Sequence, residues 1–432
     1  MTALFGAGAV GLRALATGLP VSLLMRPDEA LADYKPPTCF NKDAAQYLIL
    51  NTSGSGDPLN GNVPGTYDDP GIKHPMDPTM APTPMTVGGK QYTAAAPWAT
   101  MPADILARTC FFHHATMTNA HPNQPKVMEL MGAIKAQEML VSVLSSHLAP
   151  CLGTIQAEPV TIGATGPSEA LSFRGRTLPI LSPTGLKALL TQPAGPLANL
   201  QKMRDDDLNR INAIFKRDGT TAQKQFLDRY ATSQTQVRAI NQNLLGALTA
   251  IKQNDVSAQI TAAVALFQMN VTPVVAMHIP FGGDNHSDPG LATEATQTVA
   301  GVASIVELLN ALKSAGLQDK VTFASMNVFG RTMSLANKGQ DGRDHLANHH
   351  CTLMIGKAIK SSVIGGVQKM ANDYGAMALD SASGKGMATG GDVKFEETLG
   401  SVGKTLGKAV GLDPAVLDDQ ITIGKVIPAA LA

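Results

Sequence analysis

Aromatic side chains and net charge are both scarce in this chain. Phe, Trp and Tyr make up 4% of the 432 residues, and 34 Lys and Arg residues balance 34 Asp and Glu residues. Nucleic acids are bound largely through positive charge and, when single-stranded, through aromatic stacking. The composition therefore argues against nucleic acid as a partner.

Long apolar runs and clustered cysteines are also missing. After the first 32 residues no stretch reaches 18 uninterrupted apolar residues, so we expect no membrane span in the mature chain. The cysteines show no close-spaced zinc-binding pattern. They form either two disulfides, in one of three connectivities, or remain buried thiols. They are Cys39, Cys110, Cys151 and Cys351.

Residues 1–32 have the composition of an export signal. Residues 14–25 form an apolar run, and residues 30–32 (Ala-Leu-Ala) form a small-residue cleavage site. Only Arg13 is basic before the run, and no twin arginine is present. We interpret the segment as a truncated or unusual signal of twin-arginine or Sec type, with a buried N-terminal helix as the alternative. The expected location is the periplasm or the exterior.

Among the residues that are present, 44% are hydrophobic, which is enough for a large core. Apolar runs typical of strands alternate with helical periodicity, which predicts an α/β fold with a mostly parallel central sheet flanked by helices. The strand-like runs are residues 46–50, 106–112, 271–281 and 321–329. The helical patterns are residues 122–134 and 298–312.

Three further segments complete the predicted organisation. Residues 196–252 carry helical apolar stripes and no histidine, so we predict a helical insertion or cap. Residues 61–100 are rich in Pro and Gly and predict a long loop. The α/β domain then spans residues 33–381, and residues 382–432 form a Gly- and Lys-rich, weakly helical tail.

Aspartate and histidine recur after two of the strand-like runs. Asp284 and His286 lie two residues apart, so they share a face and could bind one ion. Asp344 and His345 are adjacent, so each could serve a different ion. Carboxylate and imidazole are ligands of borderline divalent metals, and together the segments predict a two-metal site of the kind used for displacement at phosphorus. The alternative is that these are ordinary loop residues.

Several short motifs occur in an order that resembles the exported "domain of unknown function 1501" (DUF1501) family, which is itself similar to the alkaline phosphatase and sulfatase superfamily. The resemblance covers roughly residues 45–370, and its most specific part is the Phe-Gly-Arg-Thr sequence followed by Asp-His. The motifs are residues 50–60, the region of His121, residues 283–286, residues 329–332 and residues 344–345.

The resemblance implies an alkaline-phosphatase-like fold and metal-dependent hydrolysis of a small phosphate or sulfate ester. It implies that Arg331 binds the anionic substrate, and the alternative is a structural salt bridge. In a hydrolase of this kind His121 would orient the nucleophile or protonate the leaving group. Aspartate and histidine ligands favour Zn²⁺ or Mn²⁺, and up to two ions are expected. The implied metal ligands are Asp57, Asp284, His286, Asp344, His345 and His349, with His350 as the alternative to His349.

Two departures from the family pattern leave the activity open. Ala120 stands where the family has a serine, and Val328 stands where it has a glutamate. Thr118 or Thr116 could supply the missing hydroxyl near a helix N-terminus, or metal-bound hydroxide could attack directly. We therefore keep two hypotheses, an exported hydrolase and a catalytically inactive exported relative that binds a protein or a surface polymer.

Overall fold

The protein is described by a computed structural model that covers residues 38–163, 170–190 and 242–432, together with scattered positions between 207 and 224. The predicted export signal, residues 1–32, lies outside the described residues. So does most of the predicted insertion, including Leu208, Ile211, Phe226 and Tyr230. The described positions between 207 and 224 are almost all helical, and a helix spans Gln242–Ala250 at the end of the predicted insertion.

The strands of the described residues, in chain order, are β1 (Tyr47–Ser53), β2 (Pro82–Val87), β3 (Lys90–Ala95), β4 (Thr109–His114), β5 (Val160–Ile162), β6 (Ser172–Phe173), β7 (Arg176–Thr177), β8 (Ile180–Leu181), β9 (Val274–Met277), β10 (Val321–Asn327), β11 (Gly330–Arg331), β12 (His345–Leu346), β13 (His350–Ile355), β14 (Ser362–Ile364), β15 (Val367–Lys369), β16 (Tyr374–Ala376), β17 (Ala378–Leu379) and β18 (Gly386–Met387). Eight of them form the central sheet, in the order β14-β4-β13-β10-β1-β9-β5-β8.

The prediction of a mostly parallel sheet is confirmed. β1 lies at its centre and pairs in parallel with β10 on one side and β9 on the other, with Leu48 opposite both Thr322 and Val274. β5 continues the parallel arrangement through β9 and β8, and β14 is parallel to β4. β13 is the exception, because it runs antiparallel to both β10 and β4.

Helices cover both faces of this sheet. The α-helices are α1 (Ala96–Ala99), α2 (Ala103–Leu106), α3 (Gln124–Met128), α4 (Leu140–Leu152), α5 (Pro183–Leu190), α6 (Gln242–Ala250), α7 (Val256–Gln268), α8 (Ala292–Ser314), α9 (Thr398–Ala409) and α10 (Pro414–Gln420). α7 and α8 pack on one face and α4 and α9 on the other. Every residue of β1 is buried, as expected for a strand covered on both faces.

Alternation along β1 divides the apolar residues between two cores. Ile49 points into the first core, which contains Phe267 of α7 and Ile305 of α8. Leu48 points the opposite way, into the second core, which contains Leu144 of α4. The segment predicted as a tail contributes to this second core through α9, which is buried along most of its length.

One helix, Pro289–Ser314, is long and apolar enough to cross a bilayer by length and composition, with 44% of its most apolar window buried. Ile305, Leu308 and Leu312 of this helix are completely buried in the first core. Core helices of this kind pass the same test, so the finding is weak support for a membrane span.

Two local predictions were wrong. The helix expected over residues 122–134 is interrupted, because Leu130 and Met131 adopt left-handed backbone conformations (φ 52° and 58°) and Gly132 follows with φ 87°. The long loop expected over residues 61–100 contains a β-hairpin, in which β2 pairs antiparallel with β3. Pro82 and Pro84 lie in this isolated two-stranded hairpin, where a missing backbone donor is tolerated.

The four cysteines follow neither alternative completely. Cys39 and Cys151 form a disulfide that links the start of the described chain to α4. Cys110 and Cys351 are free and buried in β4 and β13. Burial raises the pKa of the Cys110 thiol to about 12, so this side chain stays protonated as a small core residue.

Candidate metal centre

The predicted site residues lie beyond the carboxyl ends of neighbouring strands. β1, β9 and β10 are parallel, and β4 runs in the same direction as β10 because both are antiparallel to β13. His121 follows β4 at the start of a short 3-10 helix, His121–Asn123. Asp284 and His286 follow β9, and His345 begins β12 after β10. This edge is the usual ligand-binding position of a parallel sheet.

Four of these side chains converge. His121, Asp284, His286 and His345 each offer one ligand atom, and these atoms lie within 4.8 Å of one another. Asp284 is central, with Oδ2 3.4 Å from His121 Nε2 and Oδ1 3.2 Å from His286 Nε2. The Nε2 atoms of His286 and His345 are 2.8 Å apart. The structure therefore brings together three imidazoles and one carboxylate.

Two of the imidazoles are oriented by main-chain carbonyls. His121 Nδ1 lies 2.7 Å from the Gly54 carbonyl oxygen, and His345 Nδ1 lies 2.6 Å from the Asn119 carbonyl oxygen. A carbonyl oxygen can only accept, so Nδ1 carries the proton in both rings. In a neutral ring the Nε2 lone pair then faces the cluster, as a metal ligand requires.

The third imidazole is oriented by a carboxylate. His286 Nδ1 lies 2.9 Å from Asp344 Oδ1, which also accepts a hydrogen bond from Lys338 Nζ at 2.6 Å. Asp344 was predicted to be a metal ligand. Its carboxylate instead contacts Nδ1 of His286, on the side of the ring away from the cluster. Carboxylates in this position fix the ring tautomer and raise the basicity of the metal-binding nitrogen.

The close approach of His286 to His345 tests the fit to a cation. Both rings use Nδ1 as a donor, so their neutral forms would place two lone pairs 2.8 Å apart. A divalent cation or a proton removes this repulsion. Burial, opposed by the bond to Asn119 and reinforced by the charge of Arg331, lowers the pKa of His345 and disfavours a proton on Nε2 of that ring. The donor set of imidazoles and one carboxylate fits Zn²⁺ or Mn²⁺.

Arg331 is buried next to the cluster and contacts Asp284. Its side chain is 0% exposed, and Nη2 donates to Asp284 Oδ1 at 2.7 Å. Nε donates to the Gly56 carbonyl at 2.6 Å, and Nη2 also bonds to the Ser55 carbonyl. Burial raises the pKa of Asp284, but the hydrogen bond and charge of Arg331 outweigh it, and the net pKa is lowered. Arg331 therefore keeps Asp284 ionised. Its Nε and Nη2 are bound by the protein, whereas its Nη1 is buried without a hydrogen-bond partner.

Gly330, in the Phe-Gly-Arg-Thr motif, is required by close packing. A Cβ atom at this position would lie 2.0 Å from the carbonyl oxygen of His349. Gly56 is required for the same reason and by its φ of 71°, since a Cβ atom there would lie 2.2 Å from the Phe329 ring. These two glycines let the loop after β1 and the loop after β10 approach each other. The Gly56 carbonyl thereby comes within hydrogen-bonding distance of Arg331.

The remaining predicted residues do not join the cluster. Asp57 is completely buried, and its Oδ1 accepts hydrogen bonds from the backbone amides of Phe281 (3.1 Å) and Gly283 (2.8 Å). Its Oδ2 is buried without a hydrogen-bond partner. Asp57 thus shapes the loop that carries Asp284.

Thr118 and His349 are also apart from the four converging side chains. The Thr118 hydroxyl accepts hydrogen bonds from Asn123 Nδ2 at 2.8 Å and from the Ala120 amide at 3.3 Å. His349 is completely buried, and its Nε2 lies 3.0 Å from Nδ1 of His113. His113 and His114 also lie outside the four converging side chains.

A buried ion pair that the sequence did not predict connects the loop after β9 with the loop that precedes β12. Glu294 of α8 accepts two hydrogen bonds from Arg343, at 2.7 and 2.9 Å, and both side chains are 0% exposed. Asn285 and Asn62 also donate to this carboxylate, at 2.9 and 2.8 Å. Asn285 lies between the two ligands of the β9 loop, and Arg343 directly precedes the Asp-His pair. The Gly-Arg-Asp-His sequence carried the signal for Arg343, whereas nothing near Glu294 marked it.

Comparison with known proteins gives a partial family match and no activity. A family model described as "Protein of unknown function (DUF1501)" matches residues 200–378. The match supports the DUF1501 family. The DUF1501 match includes Asp284, His286 and His345 but not His121, which the fold brings to them.

A solved structure titled "Crystal structure of Ps i-CgsB" is similar to this chain at a TM-score of 0.38 and 10% sequence identity, covering 89% of this chain and 76% of that one. A likeness this distant identifies neither fold family nor function. No curated protein matches the chain significantly.

Proposed function

We propose that the protein is an exported, metal-dependent hydrolase of small phosphate or sulfate esters, with an alkaline-phosphatase-like arrangement of its sheet and site. The observation that carries the proposal is the convergence of three imidazole Nε2 atoms on Asp284, with each Nδ1 already bound to an oxygen. The disulfide between Cys39 and Cys151 supports export, because disulfides persist mainly in oxidising compartments.

In this proposal His121, Asp284, His286 and His345 hold one divalent ion. A bound ion of this kind supplies Lewis acidity toward a phosphoryl or sulfuryl oxygen and lowers the pKa of bound water. Arg331 maintains the charge of Asp284, and Asp344 holds His286 in its tautomer. His121 is assigned as a ligand here, because its Nε2 faces Asp284 and its Nδ1 is bound to Gly54. The expectation of a second ion remains a prediction for metal analysis.

The four side chains of the cluster are accessible to solvent. The side chains of Asp284 and His286 are 44% and 40% exposed, and those of His121 and His345 are 34% and 21% exposed. A purely structural metal site is normally closed by its protein ligands, whereas a catalytic site keeps access for water or substrate. Partial exposure of all four side chains favours the catalytic type.

The second candidate is an inactive exported relative that binds a protein or a surface polymer. The observation in its favour is that Ala120 replaces the family's serine, while the Thr118 hydroxyl is held by Asn123 and by the Ala120 amide. A hydrolase would then have to rely on water as its nucleophile. The two candidates therefore differ in turnover and not in metal binding.

The first test is elemental analysis of the purified protein beside the double variant His286→Ala/His345→Ala. We expect at least one equivalent of zinc or manganese in the wild type and none in the double variant. His147→Ala, on α4 away from the cluster, is the matched control and should retain the metal. Absence of metal from a folded wild-type protein supplied with both ions would reject the proposed site.

The second test is turnover of p-nitrophenyl phosphate and p-nitrophenyl sulfate by the metal-loaded protein. Hydrolysis that disappears in the double variant and persists in His147→Ala would support the hydrolase. Stoichiometric metal without turnover across a wide panel of phosphate and sulfate esters would instead favour the inactive binding protein.

A further inference from the structure

Two cationic side chains form ion pairs with carboxylates at the site, and they differ in access to solvent. Arg331 contacts Asp284 with a side chain that is 0% exposed. Lys338 contacts Asp344 with a side chain that is 38% exposed. An incoming anion can therefore reach Lys338 directly, whereas Arg331 is covered by protein atoms.

Lys338 retains unused hydrogen-bonding capacity. Its ammonium group has three N–H donors. Nζ lies 2.6 Å from Asp344 Oδ1 and 3.3 Å from the His286 carbonyl oxygen. These contacts use two donors, so the third donor remains for a ligand that approaches the exposed side of Lys338.

The loop that carries Lys338 is fixed against the rest of the site. The buried ammonium of Lys73 donates to the carbonyls of Asn337 (2.5 Å) and Gly342 (2.7 Å), on either side of the loop tip. The Asp288 amide donates to the Asp341 carbonyl at 3.0 Å, which ties the loop to the one that follows β9. Lys338 itself has a left-handed backbone, with φ 58°. A side chain held in this way binds a ligand at a lower cost in entropy.

The charges at the site favour an anionic ligand once a metal is present. The four charged side chains linked by ion pairs are two carboxylates, Asp284 and Asp344, and two cations, Arg331 and Lys338. They offset one another, so a divalent ion leaves an excess of positive charge among these groups. A dianionic group is matched better to this excess than a monoanionic one.

We propose that Lys338 binds a non-bridging oxygen of the substrate, and that the substrate is a dianionic phosphate monoester. The role expected for Arg331 from the sequence resemblance is thereby assigned to a lysine of the neighbouring loop. This inference rests on the proposed function for its metal and its ester, but anion binding by Lys338 can be measured without turnover.

The test is calorimetric titration of the metal-loaded protein with inorganic phosphate. Lys338→Met removes the charge and keeps most of the length, and we expect it to raise the Kd for phosphate at least tenfold. Lys338→Arg should keep the Kd within about threefold of the wild type, because it restores a cation of similar reach. The matched control is Lys90→Met in the exposed hairpin, which should bind phosphate as the wild type does. Elemental analysis of each variant confirms equal metal content.

The outcomes separate this inference from the proposed function. Equal phosphate affinity in Lys338→Met and Lys90→Met would overturn the role of Lys338, even if the wild type hydrolyses phosphate esters. A metal-loaded wild type that binds no phosphate would also overturn it. Lys338-dependent phosphate binding without any turnover would reject hydrolysis and keep the anion site. Tighter binding of a monoanionic sulfate monoester than of a dianionic phosphate monoester in the same kind of titration would reject the dianionic monoester.

Discussion

The orientation of each imidazole is the residue-scale feature that distinguishes this cluster from a chance group of loop histidines. In a chance group the Nδ1 and Nε2 atoms would face solvent and protein without a common pattern. Here His121, His286 and His345 all turn Nδ1 to an oxygen acceptor and Nε2 to Asp284. This common arrangement is what a set of metal ligands requires.

Asp344 provides a test of that interpretation. Asp344→Asn keeps the shape of the side chain but removes the charge that holds His286 Nδ1–H. We expect the dissociation constant for zinc to rise about 10- to 100-fold, as is usual when the outer partner of a ligating histidine is lost. The measurement is competition with a chromogenic chelator at fixed pH.

Asp341→Asn is the control for this prediction, because Asp341 is exposed on the same loop and contacts the site only through its backbone. Its zinc affinity should equal that of the wild type. If Asp344→Asn and Asp341→Asn bind zinc equally well, Asp344 does not support His286 as a ligand.

Spacing along the chain predicted part of this cluster and could not predict the rest. Asp284 and His286 share a face because they are two residues apart, and the cluster contains both. Asp57 looked equivalent in sequence, but its Oδ1 accepts two backbone amides from the β9 loop, an arrangement created only by folding. Lys338 carries no local signal, since its relation to His286 depends on how two loops pack.

At the scale of elements, α8 links the core of the protein to the site. Its apolar side, including Ile305 and Leu308, packs in the first core, while Glu294 near its start reaches the site loops. The carboxylate is completely buried and is compensated by the two hydrogen bonds from Arg343. A buried pair of this kind is costly to break, because the surviving partner keeps an uncompensated charge.

Glu294→Gln tests this connection. The amide keeps the volume of the side chain and leaves Arg343 as an unpaired buried cation. We expect the free energy of unfolding to fall by about 3–5 kcal/mol, measured by urea denaturation. Glu307→Gln, on the exposed side of the same helix, should change it by less than about 0.5 kcal/mol. A loss of similar size in both variants would contradict the assigned role of Glu294.

Strands that are buried on both faces could be predicted from the sequence. A helix break that depends only on local backbone conformation could not. β1 and β10 are apolar for much of their length because both faces are covered, and the sequence shows both. The break at Leu130 and Met131 has no proline to announce it, and apolar helical spacing continues through it. Pattern alone therefore predicted one helix where the chain makes a short helix and a turn.

At the scale of the whole molecule, the disulfide closes a long segment of chain. Cys39 and Cys151 are 112 residues apart, and their bond ties the beginning of the described chain to α4. Cross-linking a segment of this length restricts the unfolded ensemble, with typical stabilisation of about 2–4 kcal/mol. Cys39→Ala/Cys151→Ala should lower the free energy of unfolding by that amount in urea denaturation.

Dithiothreitol supplies the control for the disulfide. It should bring the wild type close to the stability of the double variant and leave the double variant unchanged. A reducing agent that destabilises both proteins equally would show that the effect does not arise from this bond.

Four buried histidines give the fold a dependence on pH that is separate from the metal centre. His113, His114, His349 and His350 are all completely buried in or next to β4 and β13. Burial lowers the pKa of His113 and of His114 to about 4, and it lowers the pKa of His349 and His350 well below the ordinary value. In the unfolded chain these groups titrate near pH 6.5. Below that pH the unfolded state binds more protons, so stability falls as the pH falls.

His350→Phe isolates one of these groups. Both ring nitrogens of His350 are buried without a hydrogen-bond partner, so an apolar ring of similar size loses no hydrogen bond there. One extra proton bound by the unfolded state corresponds to a slope of about 1.4 kcal/mol per pH unit. Between pH 6 and pH 5 the free energy of unfolding of the variant should therefore fall less steeply than that of the wild type, by about this slope.

Urea denaturation with a chelator in both samples measures the two slopes without a contribution from metal. At pH 8, where the histidine is neutral in both states, the variant should be at least as stable as the wild type. Parallel stability curves down to pH 5 would mean that His350 is protonated, or reached by water, in the folded protein.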